Sequence, residues 1–141
     1  MQIRRFGLLA ATLTLLGWTV SWACDCAVPP PPKEALKKAT AVFSAKVVKI
    51  EEAGLQRSVT VEVLRTWKGV DEKKIVVSTA KSGASCGYGF QEGKTYLIYA
   101  YQEEKAPMLR VSLCSRTQAI DKAEGDLKEL GEGKAVVEKG K

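Results

Sequence analysis

Four cysteines strongly constrain what this 141-residue chain can fold into, because all of them follow an apolar N-terminal segment. That segment has two arginines near its start, an apolar run over residues 6–20, and small residues at the first and third positions before Cys24. This pattern is typical of a secretory signal peptide over residues 1–23, cleaved after Ala23. We therefore expect a secreted or periplasmic protein, in which an even number of cysteines forms two disulfides.

Composition excludes several other classes of protein. The leader is too short for a membrane-spanning helix, and no later run is apolar enough to be one. Loss of the two leader arginines lowers the formal net charge from +6 to +4, and the remaining basic residues form no run. We therefore expect no transmembrane segment and no nucleic-acid partner.

The sequence offers no recognisable catalytic site. The chain contains no histidine, which excludes histidine bases, triads and metal sites. The adjacent carboxylates Glu51-Glu52 and Glu103-Glu104 lie on a strand and in a turn, where neighbouring side chains diverge or are solvated. We expect a non-enzymatic protein without a cofactor. Trp67 and the tyrosines 96, 99 and 101 are assigned to the core and sheet faces rather than to a binding surface.

Apolar periodicity predicts a mainly β domain over residues 24–132, followed by a flexible tail over 133–141. After the proline run 29–32 we expect a short helix over 33–39, then five strands, then a helix over 118–130 with Thr117 as its cap and Gly131 as its end. The strands are expected over 42–51, 58–67, 74–79, 95–101 and 108–114. This count favours a five-stranded Greek-key OB-like barrel over a β-sandwich, which would need about seven strands.

The cysteine spacing leaves the disulfide pairing open. Four cysteines allow three pairings. A Cys24–Cys26 bond would close a very small, strained ring, whereas the other two pairings connect Cys24 and Cys26 to Cys86 and Cys114 across long loops. Closing such loops stabilises a domain by on the order of 4 kcal/mol each in the chain-entropy model.

The triplet Cys24-Asp25-Cys26 predicts a rigid, exposed N-terminal wedge. Side chains at i and i+2 of an extended segment point the same way, so two inward cysteines direct Asp25 outward. After cleavage the Cys24 amine and carbonyl could chelate the zinc of another protein. The alternatives are two purely structural disulfides, a soft-metal site at Cys-x-Cys, and lipidation of Cys24 as an envelope anchor.

Several ordered motifs resemble the TIMP-like group of netrin-type (NTR) modules, and within it the short bacterial members. They are Cys24-x-Cys26 followed by prolines, the strand motif over residues 61–69, the loop motif over 85–88, the strand over 96–100, and the Leu113-Cys114-Ser115 triplet. Their order and spacing both fit, over most of residues 24–130.

The resemblance implies an OB-like barrel without enzymatic activity, and the pairs Cys24–Cys86 and Cys26–Cys114. It also implies that the Cys24 amine and carbonyl chelate the zinc of a target metalloprotease. In such inhibitors the next residue, here Asp25, enters the primary specificity pocket.

The rest of the implied protease-binding surface comes from two segments. The wedge continues through Cys26, Ala27 and Val28, and the loop Ser82, Gly83, Ala84 and Ser85 packs beside it. The chain departs from the family pattern at Asp25, where inhibitors usually carry a small neutral residue, and it lacks a third disulfide. We expect a monomer whose partner is a zinc metalloprotease; the alternative is an extracytoplasmic binding module in which Cys24 is only structural.

Overall fold

The structure, a computed structural model, describes residues 24–138. The leader over residues 1–23, with its predicted cleavage site, and the last three residues lie outside this range. No helix within 24–138 is long and apolar enough to cross a membrane. The helices are α1 (Pro32–Lys38) and α2 (Glu124–Leu130), with 3-10 turns at Gly83–Ser85 and Ile120–Lys122. The strands are β1 (Ala41–Ala53), β2 (Gln56–Lys68), β3 (Lys74–Ala80), β4 (Thr95–Ala100), β5 (Leu109–Arg110), β6 (Gln118–Ala119) and β7 (Lys134–Ala135).

One mainly antiparallel sheet organises the domain. Its strand order is β5-β3-β2-β1-β4-β6, with β7 pairing separately with β2. The long hairpin β1–β2 turns at Gly54, whose φ of 60° lies in the left-handed region that glycine tolerates. Among the strand pairs within residues 24–138, only β3–β5 is parallel.

The mainly β prediction, with two helices and two disulfides, is confirmed. The strand path, however, is open, with β5 and β6 at its two ends, so the closed five-stranded barrel is not confirmed. The fifth predicted strand, over 108–114, is reduced to Leu109–Arg110 because the chain then turns at Ser112–Ser115. A separate antiparallel bridge joins Tyr101, just after β4, to Arg110 of β5.

Two apolar cores lie on the two faces of the sheet. The larger one collects alternate side chains of the central strands: Phe43, Val47, Val59, Val61, Val63, Val77 and Ile98. The smaller one lies under the two helices and contains Ala35, Ala39, Val42, Leu97, Tyr99 and Ala123. Residues 41–45 of β1 and 96–100 of β4 are buried on both faces because they supply side chains to both cores. Full burial of each large side chain stabilises the fold by roughly 1.5–3 kcal/mol.

Helix α1 is fixed at both ends. Pro32 occupies the first turn, where its lack of an N–H costs nothing. At the other end the Lys68 ammonium of β2 donates to the carbonyls of Leu36, Lys37 and Ala39 at 3.1, 2.9 and 2.5 Å. A cation at this end favours the helix because the last carbonyls carry partial negative charge.

The C-terminal region differs from the sequence prediction in two ways. Helix α2 begins at Glu124 rather than at Gln118, because Gln118 and Ala119 pair with β4. The Thr117 hydroxyl does not cap a helix but accepts a hydrogen bond from the Tyr99 N–H. The second difference is at the start of the expected tail, residues 133–141. Residues 134–135 pair with β2, and Val136 is buried in the larger core, so ordered packing continues past residue 132.

Candidate functional site

The two disulfides attach the N-terminal segment to the sheet domain. Cys24 bonds to Cys86 and Cys26 to Cys114, with Cα–Cα separations of 5.2 and 5.0 Å. This is the pairing that the resemblance implies, and spacing alone left it open. Both N-terminal cysteines are half-buried while Asp25 between them is exposed, as strand alternation predicts.

The four sulfur atoms form one compact cluster. The Cys24 Sγ lies 3.4 Å from the Cys114 Sγ and 3.9 Å from the Cys26 Sγ. Three of these atoms are close enough together for a metal site, but all four cysteines of the chain are disulfide-bonded. Because the thiolate is the form that binds metals, the oxidised cluster does not support the soft-metal hypothesis for Cys-x-Cys.

Arg116 holds the proline segment behind the wedge. Its Nη1 donates to the Pro30 carbonyl at 3.0 Å, while Nε and Nη2 donate to the two oxygens of Asp126 at 2.6 and 2.8 Å. Such a two-pronged contact fixes the guanidinium plane. The exit direction of the N-terminal segment is therefore set by α2 as well as by the disulfides.

Asp126 is a buried acid at the centre of this network. It is only 4% exposed, and besides Arg116 it accepts from the Tyr99 hydroxyl at 2.9 Å. The hydrogen bond to Asp126 raises the pKa of Arg116. Burial raises the pKa of Tyr99, and the hydrogen bond from its hydroxyl to Asp126 raises it further. Sequence analysis missed this network, since no periodic pattern relates residues 99, 116 and 126.

The loop beside the wedge is a tight turn followed by a close backbone contact. Ser82 caps the 3-10 turn Gly83–Ser85 by accepting from the Ser85 N–H, and all four residues 82–85 are exposed. Cys86 follows with a φ of 62°, in the left-handed region. At Gly87 any side chain would collide with the Ala80 carbonyl. The Cys24–Cys86 bond therefore keeps the exposed turn next to the N-terminal segment.

Most of the predicted site residues are exposed, and they lie on two segments that the Cys24–Cys86 disulfide connects, here called the exposed edge. Asp25, Ala27 and Val28 are exposed, with Val28 at 93%, and residues 82–85 join them through the disulfide at Cys86. Next to this edge lies a shallow depression of about 320 Å³ lined by Ser85, Cys86, Tyr101, Glu103, Arg110 and Ser112. Across it Arg110 forms an ion pair with Glu103 at 3.1 Å, so these two charges offset each other.

A second surface feature lies between the sheet and α2. It is an apolar groove of about 650 Å³ whose apolar lining is Leu64, Trp67, Ile120 and Leu127. The Trp67 Nε1 donates to the Gly131 carbonyl at 2.9 Å, which holds the indole ring beside the groove. Of the aromatic residues assigned to the core and sheet faces, Tyr96 and Tyr99 are buried, whereas Trp67 and Tyr101 are half-buried. Trp67 lines this groove, and Tyr101 lines the depression beside Ser85.

Comparison with known proteins adds no relationship. No protein-family model matches the chain, and no curated protein matches it either.

Proposed function

We propose that this is a secreted or periplasmic, non-enzymatic, TIMP-like inhibitor of a zinc metalloprotease. The observation that carries the proposal is the exposed Asp25 between two half-buried, disulfide-bonded cysteines. This arrangement holds the backbone atoms of Cys24 next to the exposed Asp25. The leader cleavage after Ala23 that would free the Cys24 amine is part of the proposal.

The chemistry of inhibition is chelation. A terminal amine has a reference pKa of about 7.7–8.0, so a useful fraction is neutral near pH 7 and can donate its lone pair. Together with the Cys24 carbonyl it forms a five-membered ring on a metal. A catalytic zinc has three protein ligands and a fourth position that normally holds water. The amine and the carbonyl would displace that water and make the zinc five-coordinate.

Rigidity supports tight binding, because a segment that is already ordered loses little entropy on binding. Three attachments hold the wedge: the disulfides of Cys24 and Cys26, and the Arg116 hydrogen bond to Pro30. The exposed residues Asp25, Ala27, Val28 and Ser82, Gly83, Ala84, Ser85 would extend the contact around the zinc ligand.

The test uses mature protein that begins at Cys24 and a matched variant with one alanine added before it. We expect the native form to inhibit a zinc endopeptidase and the extended form to lose inhibition, since its amine becomes an amide. Disulfide mapping and circular dichroism of both forms control for folding. Equal inhibition by both forms would contradict chelation, and the mass of the exported N-terminus separates a free Cys24 from a lipidated one.

We also propose that the sheet is a distorted barrel of the OB type. Support comes from a bridge between β5, at one end of the strand path, and Tyr101, which follows β4 next to the other end. The Tyr101 N–H donates to the Arg110 carbonyl at 2.9 Å, and the Arg110 N–H donates to the Tyr101 carbonyl at 2.8 Å. The parallel pairing of β5 with β3 adds to it. Strong protection of both amides from hydrogen exchange is expected, and rapid exchange would oppose closure.

A second candidate function is an extracytoplasmic binding module that uses the apolar groove, with Cys24 purely structural. The supporting observation is the groove itself, where Leu64 is 39% exposed beside Trp67. A protein partner of this kind would bind the alanine-extended form normally and the variant Leu64→Asp poorly. Loss of binding on extension, with Leu64→Asp unaffected, would instead favour the inhibitor.

A further inference from the structure

Asp25 is the side chain closest to the proposed zinc-binding atoms that can enter a partner's cleft. Its neighbours Cys24 and Cys26 point inward to their disulfides, whereas Asp25 is exposed. Consecutive Cα atoms are only about 3.8 Å apart. Any protease that receives the Cys24 amine and carbonyl on its zinc must therefore enclose the Asp25 carboxylate as well.

The Cys24 carbonyl also defines which part of the protease meets Asp25. A catalytic zinc polarises the carbonyl of the bond to be cleaved. With the Cys24 carbonyl on the zinc, the following residue occupies the place of the substrate residue immediately C-terminal to that bond. The pocket that contacts Asp25 is therefore the one that selects the substrate side chain after the cleavage point.

The Asp25 charge has no ion-pair partner in the part of the chain that the structure describes. Of the arginines on the segments near the wedge, Arg116 is engaged by Asp126 and Arg110 by Glu103. Because burying an unpaired carboxylate is strongly unfavourable, a partner that encloses Asp25 has to supply the cation.

We propose that the target is a zinc endopeptidase whose specificity pocket beside the metal carries an arginine or lysine, and which cleaves its substrates before acidic residues. Asp25 is then the residue that determines specificity, by imitating the acidic substrate side chain. Arginine suits this role because its planar donors match both carboxylate oxygens. The inference rests on the proposed inhibitory function.

The experiment compares two zinc endopeptidases, one that cleaves before Asp or Glu and one that cleaves before large apolar residues. Mature protein with a native Cys24 amine is assayed beside Asp25→Asn, Asp25→Leu and the control Asp121→Asn. The control removes the same charge from an exposed site outside the wedge. All variants are first checked for both disulfides.

We expect the native protein to prefer the first enzyme, and Asp25→Asn to weaken inhibition of that enzyme by about 30-fold or more, as for loss of one partner of a buried charge pair. Asp25→Leu should strengthen inhibition of the second enzyme by about 10-fold or more, since its pocket accepts an apolar side chain. Asp121→Asn should change neither value.

The possible failures are distinguishable. If the native protein inhibits both enzymes equally, Asp25→Asn changes neither, and the alanine-extended form is inactive, the charged-pocket inference is overturned while chelation stands. If the extended form inhibits as well as the native one, or if no form inhibits either enzyme, chelation fails and this inference fails with it.

Discussion

Replacing Arg116 by methionine should expose how much the buried network behind the wedge contributes to stability. The side chain of Asp126 is 5% exposed and that of Arg116 is 25% exposed. Arg116→Met keeps most of the apolar stem but leaves the Asp126 carboxylate buried, with the Tyr99 hydroxyl as its remaining partner in residues 24–138.

The expected cost follows from that burial. Removing one partner of a fully buried ion pair costs about 3–5 kcal/mol. Because Arg116 is partly hydrated, we lower this to about 2–4 kcal/mol of unfolding free energy. That is a large share of the 5–15 kcal/mol typical of a whole domain.

The diagnostic variant is Arg116→Met combined with Asp126→Asn. Asparagine can still accept from Tyr99 but carries no charge, so the penalty for a buried, unpaired carboxylate disappears. The double variant should therefore be more stable than Arg116→Met alone, by about 1–2 kcal/mol. Two destabilising substitutions would then partly cancel.

The assay is equilibrium unfolding in urea with both disulfides intact. The dependence of the free energy of unfolding on urea concentration is compared between variants, since an unchanged slope shows that stability alone has changed. Arg110→Met is the matched control, because its ion pair with Glu103 lies on the surface and should contribute at most about 1 kcal/mol. A cost below about 1 kcal/mol for Arg116→Met, or a double variant less stable than the single one, would refute the reasoning.

Three further predictions concern the cysteines, a glycine and a tyrosine. Replacing Cys26 and Cys114 by alanine, with the Cys24–Cys86 bond retained, removes one disulfide. Because the retained bond shortens the path from residue 26 to residue 114, the opened loop has about 30 residues, and the free energy of unfolding in urea should fall by about 3.5 kcal/mol. A loss below about 1 kcal/mol contradicts this. Gly87→Ala should destabilise the fold because a Cβ there meets the backbone at the end of β3. The control Gly125→Ala places its Cβ in open space within α2 and should stabilise the fold by about 0.5–1 kcal/mol. Thermal melting of the two variants measures the difference. Burial and, to a smaller extent, the charge of the neighbouring Tyr96 raise the pKa of Tyr88 to about 12. The folded state therefore favours the neutral phenol, and the free energy of unfolding should fall as pH rises from about 10 to 12. In denaturation curves at these pH values, Tyr88→Phe should show a smaller fall.

Local patterns predicted the elements of this fold well. Alternation in residues 58–67 predicted β2, observed as Gln56–Lys68, and the proline run predicted the start of α1 within a residue. These signals work because strand alternation and the fixed φ of proline are properties of neighbouring residues. The same local reasoning failed at residues 118–123, where pairing with β4 overrides a helical pattern.

The sequence by itself determined that Asp25 points outward once its two neighbours are bonded inward, and that the chain forms a mainly β domain with two disulfides. The direction of Asp25 and the β class follow from alternation between neighbouring residues, and the disulfides follow from an even number of cysteines after a predicted signal peptide. Only the tertiary structure decided that Arg116 connects α2 to the proline segment, and that the chain pairs with β2 again at residues 134–135. These contacts join residues 10 to 86 positions apart, and such distances leave no periodic trace along the chain.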